Sequence, residues 1–168
     1  MKPYITAIDR ILKNGGRIKD WENLNTLCIM NRVIPDNLRI CVDYFKDKLP
    51  NEYAYFLKYY DGGILFNYNE LGGYELLSSE SLIKEDRFQK DNSISIGEKW
   101  DDDTILFCRI IGNAEFLGFR LTGVLTYEIK HCVMDMPPDQ WLTIGCSFDE
   151  FIEKLIQEKG REYWLVDG

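Results

Sequence analysis

The chain has 168 residues, 45% hydrophobic and 29% charged, with 28 acidic against 20 basic side chains and a formal charge of −8. That length buries about 70% of the unfolded surface in one domain, residues 1–168. The acidic sign argues against nucleic-acid binding, which depends on clustered Lys and Arg, and the short apolar runs span no membrane. Met1-Lys2-Pro3-Tyr4 leads into an amphipathic pattern rather than a charged segment followed by an apolar one, so a soluble cytoplasmic protein is expected.

Residues 4–14 repeat apolar groups at Tyr4, Ile8, Ile11 and Leu12 and end at Gly15-Gly16, which predicts a first helix. Residues 17–34 are ambiguous, with Asp20 a candidate N-cap for a short helix through Leu24 and Leu27, so 1–34 read as a helical N-terminal part. Pro35-Asp36 opens a clearer helix whose stripe is Leu38, Cys41, Val42 and Phe45. It must break at Leu49-Pro50, because the residue before proline avoids the α region. Pro50 then suits the first turn of another helix, where its missing N–H would have no partner anyway. Tyr53, Phe56, Leu57 and Tyr60 fall on one face of it, and Asp61-Gly62-Gly63 stops it, glycine adopting the left-handed C′ conformation.

After Gly63 the period changes from 3.6 to 2. Gly72 to Leu77 reads as a strand, Ile94-Ser95-Ile96 as a short one, and Thr104 to Ile111 as another before a Gly112-Asn113 turn. Glu115 to Leu121 and Val124 to Lys130 flank Thr122-Gly123, a tight hairpin turn. Leu125, Tyr127 and Ile129 alternate with Thr126, Glu128 and Lys130, so one face is buried and the other wet. Ser147-Phe148-Asp149-Glu150 is a capping box opening a last helix, whose stripe is Phe148, Phe151, Ile152, Leu155 and Ile156 and whose end is Gly160. The fold class is α+β: N-terminal helices, a central mostly antiparallel sheet, and a C-terminal helix packed on it.

Leu49-Pro50, Tyr53, Phe56-Leu57 and Gly62-Gly63, then the strand run 104–129, then Ile144 with Ser147-Phe148 and Phe151, resemble in order and spacing the signature of the SUKH superfamily (Smi/Knr-type domains). That superfamily comprises bacterial toxin-immunity proteins and related cell-wall regulators. The resemblance covers about 35–157 and leaves 1–34 and 161–168 unassigned. One departure stands out: members commonly carry a Gly-Asp-Gly-rich turn before the central strand, where this chain has Gly97 to Asp103. The resemblance implies a non-catalytic, monomeric or weakly homo-oligomeric protein that binds a cognate toxin, a basic one such as a nuclease. The alternative it leaves open is a regulatory scaffold in cell-wall or signalling assembly.

The residues themselves offer little chemistry. Five cysteines, at 28, 41, 108, 132 and 146, form no C-x-x-C pair, and with one histidine they suggest packed thiols and neither a metal nor a cofactor. His131 and Cys132 are adjacent on a strand and face opposite ways, so they cannot act as a nucleophile pair. Glu98 with Asp101, Asp102 and Asp103 could meet a basic partner, or be only a solvated turn. Trp100 beside them suits an interface anchor, or a ring tucked under the sheet. Tyr68, in a loop with little to bury against, and Asp135, in the Met134 to Asp139 loop before Trp141, complete the expected partner surface.

Overall fold

The computed structural model describes residues 1–95 and 97–166, and within them eight strands pair in strict chain order, each antiparallel to the next. These are β1 (Arg17–Lys19), β2 (Asn25–Met30), β3 (Gly63–Tyr68), β4 (Gly72–Leu76), β5 (Thr104–Ile110), β6 (Glu115–Gly123), β7 (Thr126–Val133) and β8 (Leu142–Gly145). Helices α1 (Pro3–Lys13), α2 (Pro35–Phe45), α3 (Asn51–Tyr59), α4 (Ser79–Ser95), α5 (Phe148–Gln157) and α6 (Tyr163–Val166) are interspersed. Tyr4, Ile5 and Ile8 of α1, Tyr53, Phe56 and Leu57 of α3, and Phe148, Phe151, Ile152 and Leu155 of α5 share one core with Leu65, Leu76, Ile105, Phe107, Phe119 and Ile129 of the sheet.

The N-terminal part is only half helical, which corrects the expectation for 17–34. Asp20 does not cap a helix. Its Oδ1 accepts from the N–H groups of Glu22 and Leu24 at 2.9 and 2.8 Å, closing the turn between β1 and β2. The same side-chain chemistry that favours N-caps also favours turns. Alternation in β2 then buries Thr26 and Cys28 and leaves Leu27 and Ile29 exposed.

Three further expectations shift. Val42 is 40% exposed and leaves the α2 stripe to Leu38, Cys41 and Phe45. Pro50 stands at the N-cap of α3 rather than inside its first turn, and Tyr60 is the C-cap, so Gly62 lies beyond the C′ position. The β6–β7 hairpin turns at Val124-Leu125, since Gly123 pairs with Thr126 and Leu125 takes a φ of 63°. Leu125 is therefore an exposed turn residue and not part of the buried face, which Tyr127 and Ile129 supply.

The largest miss is α4. Ile94 and Ser95 end this helix instead of forming a strand, and Ile96 lies outside the described residues. Its buried side holds Leu82 and Ile83 but also Asp86, Gln89 and Ser93. Each of these polar groups is paired: Tyr44 Oη and Lys90 Nζ reach Asp86 Oδ2 at 2.7 and 2.8 Å, Gln89 Nε2 donates to Glu85 at 2.8 Å, and Ser93 Oγ donates to the Gln89 carbonyl at 2.8 Å. A helix buried on a polar side shows no apolar period.

The C-terminal tail, unassigned from sequence, docks. Tyr163 and Trp164 are buried, and Trp164 Nε1 donates to His131 Nδ1 at 3.0 Å. With Nδ1 accepting, the neutral imidazole carries its proton on Nε2, which donates to Glu115 Oε2 at 2.6 Å. Trp164→Phe keeps the ring in the core but leaves Nδ1 unpaired. It should cost about 1–2 kcal/mol in urea unfolding, with faster amide exchange in 161–166. An unchanged midpoint would show that the indole donor contributes nothing to tail docking.

Candidate functional site

Alternate residues of a strand face opposite ways. Ile105 and Phe107 join the main core, whereas Leu106 turns to the other face and forms a second cluster with Cys132 and Trp141. Trp100, Phe116 and Met134 pack against it. Trp141 is 5% exposed and anchored by Nε1 donating to the Val133 carbonyl at 3.0 Å, and Trp100 leans on it with ring centroids 6.4 Å apart and planes tilted by 48°.

The segment bearing Trp100 is shaped by its own carboxylates. Asp101 Oδ1 accepts from Asp103 N at 3.1 Å, and its Oδ2 accepts from Thr104 Oγ1 at 3.0 Å and pairs with Arg120 Nε at 3.1 Å. Arg120 also reaches the Pro138 carbonyl and Asp139 Oδ1, each at 3.4 Å, tying this turn to the 134–140 loop. Between the turn, that loop and the end of α4 lies a groove of about 520 Å³.

Of the residues expected to meet a partner, Glu98, Trp100, Asp101 and Asp135 line this groove. Asp102 and Asp103 are exposed beside it, the Asp102 carbonyl accepting from Lys48 Nζ at 3.2 Å. Tyr68 is elsewhere: half-buried at the end of β3, it borders a separate groove of about 710 Å³ with Trp21, Leu71 and Leu165. Trp100 is half-buried, and its Nε1 is buried without a hydrogen-bond partner among the described residues.

Sequence reasoning missed Arg120, whose position opposite Thr104 follows only from the β5–β6 register. It also missed the α4 contribution of Gln89, Asn92 and Ser93, hidden with the helix itself. Met134, Met136, Pro137 and Pro138, of the loop that carries Asp135, also line the groove.

Four of the five thiols are buried and poor nucleophiles, and Cys146 alone is exposed. Burial pushes Cys28 and Cys41 up to about 12 and raises Cys108 and Cys132 as well, so all four stay protonated near neutral pH. His131 is engaged at both ring nitrogens and turns away from Cys132. Among the described residues no group of three or more His, Cys, Asp or Glu could hold a metal ion, and no helix is long and apolar enough to cross a membrane.

A family model described as SMI1 / KNR4 family (SUKH-1) matches residues 40–154. No match among curated protein sequences was found.

Proposed function

The chain belongs to the SMI1/KNR4 family (SUKH-1), and on that premise we propose that it is a non-catalytic, cytoplasmic immunity protein that binds and neutralises a basic protein toxin. The observation that carries this reading is the groove on the second sheet face, where paired tryptophans, methionines and prolines sit among carboxylates. Aromatic anchors within an acidic rim suit capture of a basic protein: long-range attraction speeds encounter, and desolvated apolar contacts slow release. Family membership supports immunity or regulation in general, and the four buried thiols and the engaged histidine give turnover no support. The whole chain acts as one unit in this reading, since α1 and the buried tail residues Tyr163 and Trp164 enter the same core as the matched region.

The test is co-purification with the toxin domain encoded beside its gene, followed by binding kinetics. Asp102→Asn with Asp103→Asn should lower the association rate and flatten its salt dependence, because both side chains are exposed and screened over about 8 Å at physiological salt. Asp101 is left intact, being committed to Arg120 and to the turn. Trp100→Ala should act on dissociation, costing about 2 kcal/mol as an interface hot spot. Wild-type kinetics for both variants at low salt would place the contact on another surface.

A second reading, a regulatory scaffold in cell-wall or signalling assembly, draws support from the separate groove at Tyr68. Trp21, Leu71 and Leu165 are 55%, 74% and 54% exposed there, apolar enough to hold a second partner. Absence of toxin binding together with capture of a housekeeping partner would favour it.

A further inference from the structure

We propose that the groove lined by Trp100 and Trp141 receives one arginine side chain of the partner, presented from an extended basic segment. This deepens the immunity reading and rests on it. The groove volume of about 520 Å³ falls within the ~300–1,000 Å³ span of ligand sites. Three carboxylates, Glu98, Asp101 and Asp135, line it against the single lysine Lys99, which repels anions and attracts cations. Asp101 is already paired with Arg120, so Glu98 and Asp135 remain as the acceptors for an incoming cation.

The walls decide which cation. Met134, Met136 and Pro137 offer apolar surface for an aliphatic stem, and the half-buried Trp100 indole, backed by Trp141, offers a π face. A guanidinium is planar and weakly hydrated, stacks on an indole, and keeps in-plane donors for carboxylates at the rim. An ammonium is compact and strongly hydrated, and loses more on entering. A neutral apolar side chain would cover the carboxylates without pairing them.

The test uses the full chain and a synthetic peptide of three arginines separated by Gly-Pro, with lysine and citrulline versions. The four tryptophans give four indole N–H signals, assigned with Trp→Phe variants. The arginine peptide should shift the Trp100 and Trp141 signals saturably and leave those of Trp21 and Trp164 in place. The citrulline peptide should bind about tenfold more weakly or worse, and the lysine peptide detectably more weakly than the arginine one. Glu98→Gln with Asp135→Asn should weaken the arginine peptide by about tenfold. Equal binding of the citrulline peptide, or shifts confined to Trp21, would overturn the proposal.

Toxin binding is scored separately. A toxin that binds the wild type and the Glu98→Gln/Asp135→Asn variant equally sinks the arginine site and leaves the immunity reading standing. Saturable arginine binding at the groove without any toxin binding sinks the immunity reading and supports the site.

Discussion

Phe148→Ala should lower the unfolding free energy by about 3–5 kcal/mol, the usual range for emptying a buried phenylalanine site. Phe148 is 0% exposed, and its ring stands 5.0 Å from that of Tyr53, 5.6 Å from Phe56, 5.8 Å from Phe107 and 5.9 Å from Tyr4. Residues from α1, α3 and the sheet thus meet on one side chain of α5, and little can collapse into the space because the neighbouring rings brace one another. Phe151→Ala, 2% exposed and packed on Phe107 and Trp164, should fall in the same range. Phe88→Ala, at a site 61% exposed, should change stability by less than about 0.5 kcal/mol. Urea unfolding of the three variants decides it. A loss under about 1 kcal/mol for Phe148→Ala would mean that α5 is not held as described.

The backbone reason for that docking is a shared N-terminus. The first three N–H groups of α5 each find an acceptor: Phe148 N donates to Tyr127 Oη at 2.8 Å, Asp149 N to Glu52 Oε2 at 2.9 Å, and Glu150 N to Ser147 Oγ at 3.3 Å. The capping box read from the sequence is thus half formed. Ser147 caps as expected, but the second carboxylate is Glu52 of α3 and not the local Glu150. Ser147 Oγ also donates to Glu52 at 3.1 Å, so two separated motif blocks are joined at this point. Local spacing reveals a cap. It cannot reveal that a distant glutamate reaches it first.

What was legible in this chain followed strong periodicity. The α1, α3 and α5 stripes place apolar groups at fixed intervals, and these helices formed where read to within a residue or so, while β7 kept its alternation but begins at Thr126. The failures fall where a polar side chain took a structural place that an apolar period would otherwise have marked. Asp86 inside α4 is paired with Tyr44 of α2 and with Lys90 one turn on, so the helix buries a polar side and lacked an apolar face to recognise. The candidate groove was legible in its loops, since Trp100, Asp135 and the Met-Pro run stand out locally. Its floor was not, because Leu106, Cys132 and Trp141 come together through strand register. Tyr68 illustrates the opposite error: an aromatic residue near a turn looked available for the same surface, but its hairpin lies in another groove.

Gly62→Ala, in the family motif, should cost about 3 kcal/mol or more, a left-handed conformation and a backbone clash together. Gly62 has a φ of 73°, which costs an L-residue roughly 1–2 kcal/mol, and a Cβ there would lie 2.4 Å from the Leu76 carbonyl oxygen and 2.6 Å from Ser78 N. Both are backbone atoms of the β4–α4 connection and cannot swing aside. Gly15 supplies the control: its φ of 71° is nearly the same, but nothing lies within 4 Å of a Cβ. Gly15→Ala should therefore show only the conformational cost of roughly 1–2 kcal/mol, and the difference between the two measures the close approach.

That approach explains why Asp-Gly-Gly is a joint rather than a helix stop. Asp61 N donates to the Asn31 carbonyl, Asn31 N donates to the Gly62 carbonyl, each at 3.0 Å, and Asp61 Oδ1 accepts from Ser79 N at 2.7 Å. The end of β2, the end of α3 and the start of α4 are thus held by two residues, and Gly62 lets the chains come close enough. Displacing them should loosen α4 first, seen as faster amide exchange across 79–83 than in α5. If Gly62→Ala and Gly15→Ala cost the same and α4 exchange is unchanged, the joint is not where α4 is held.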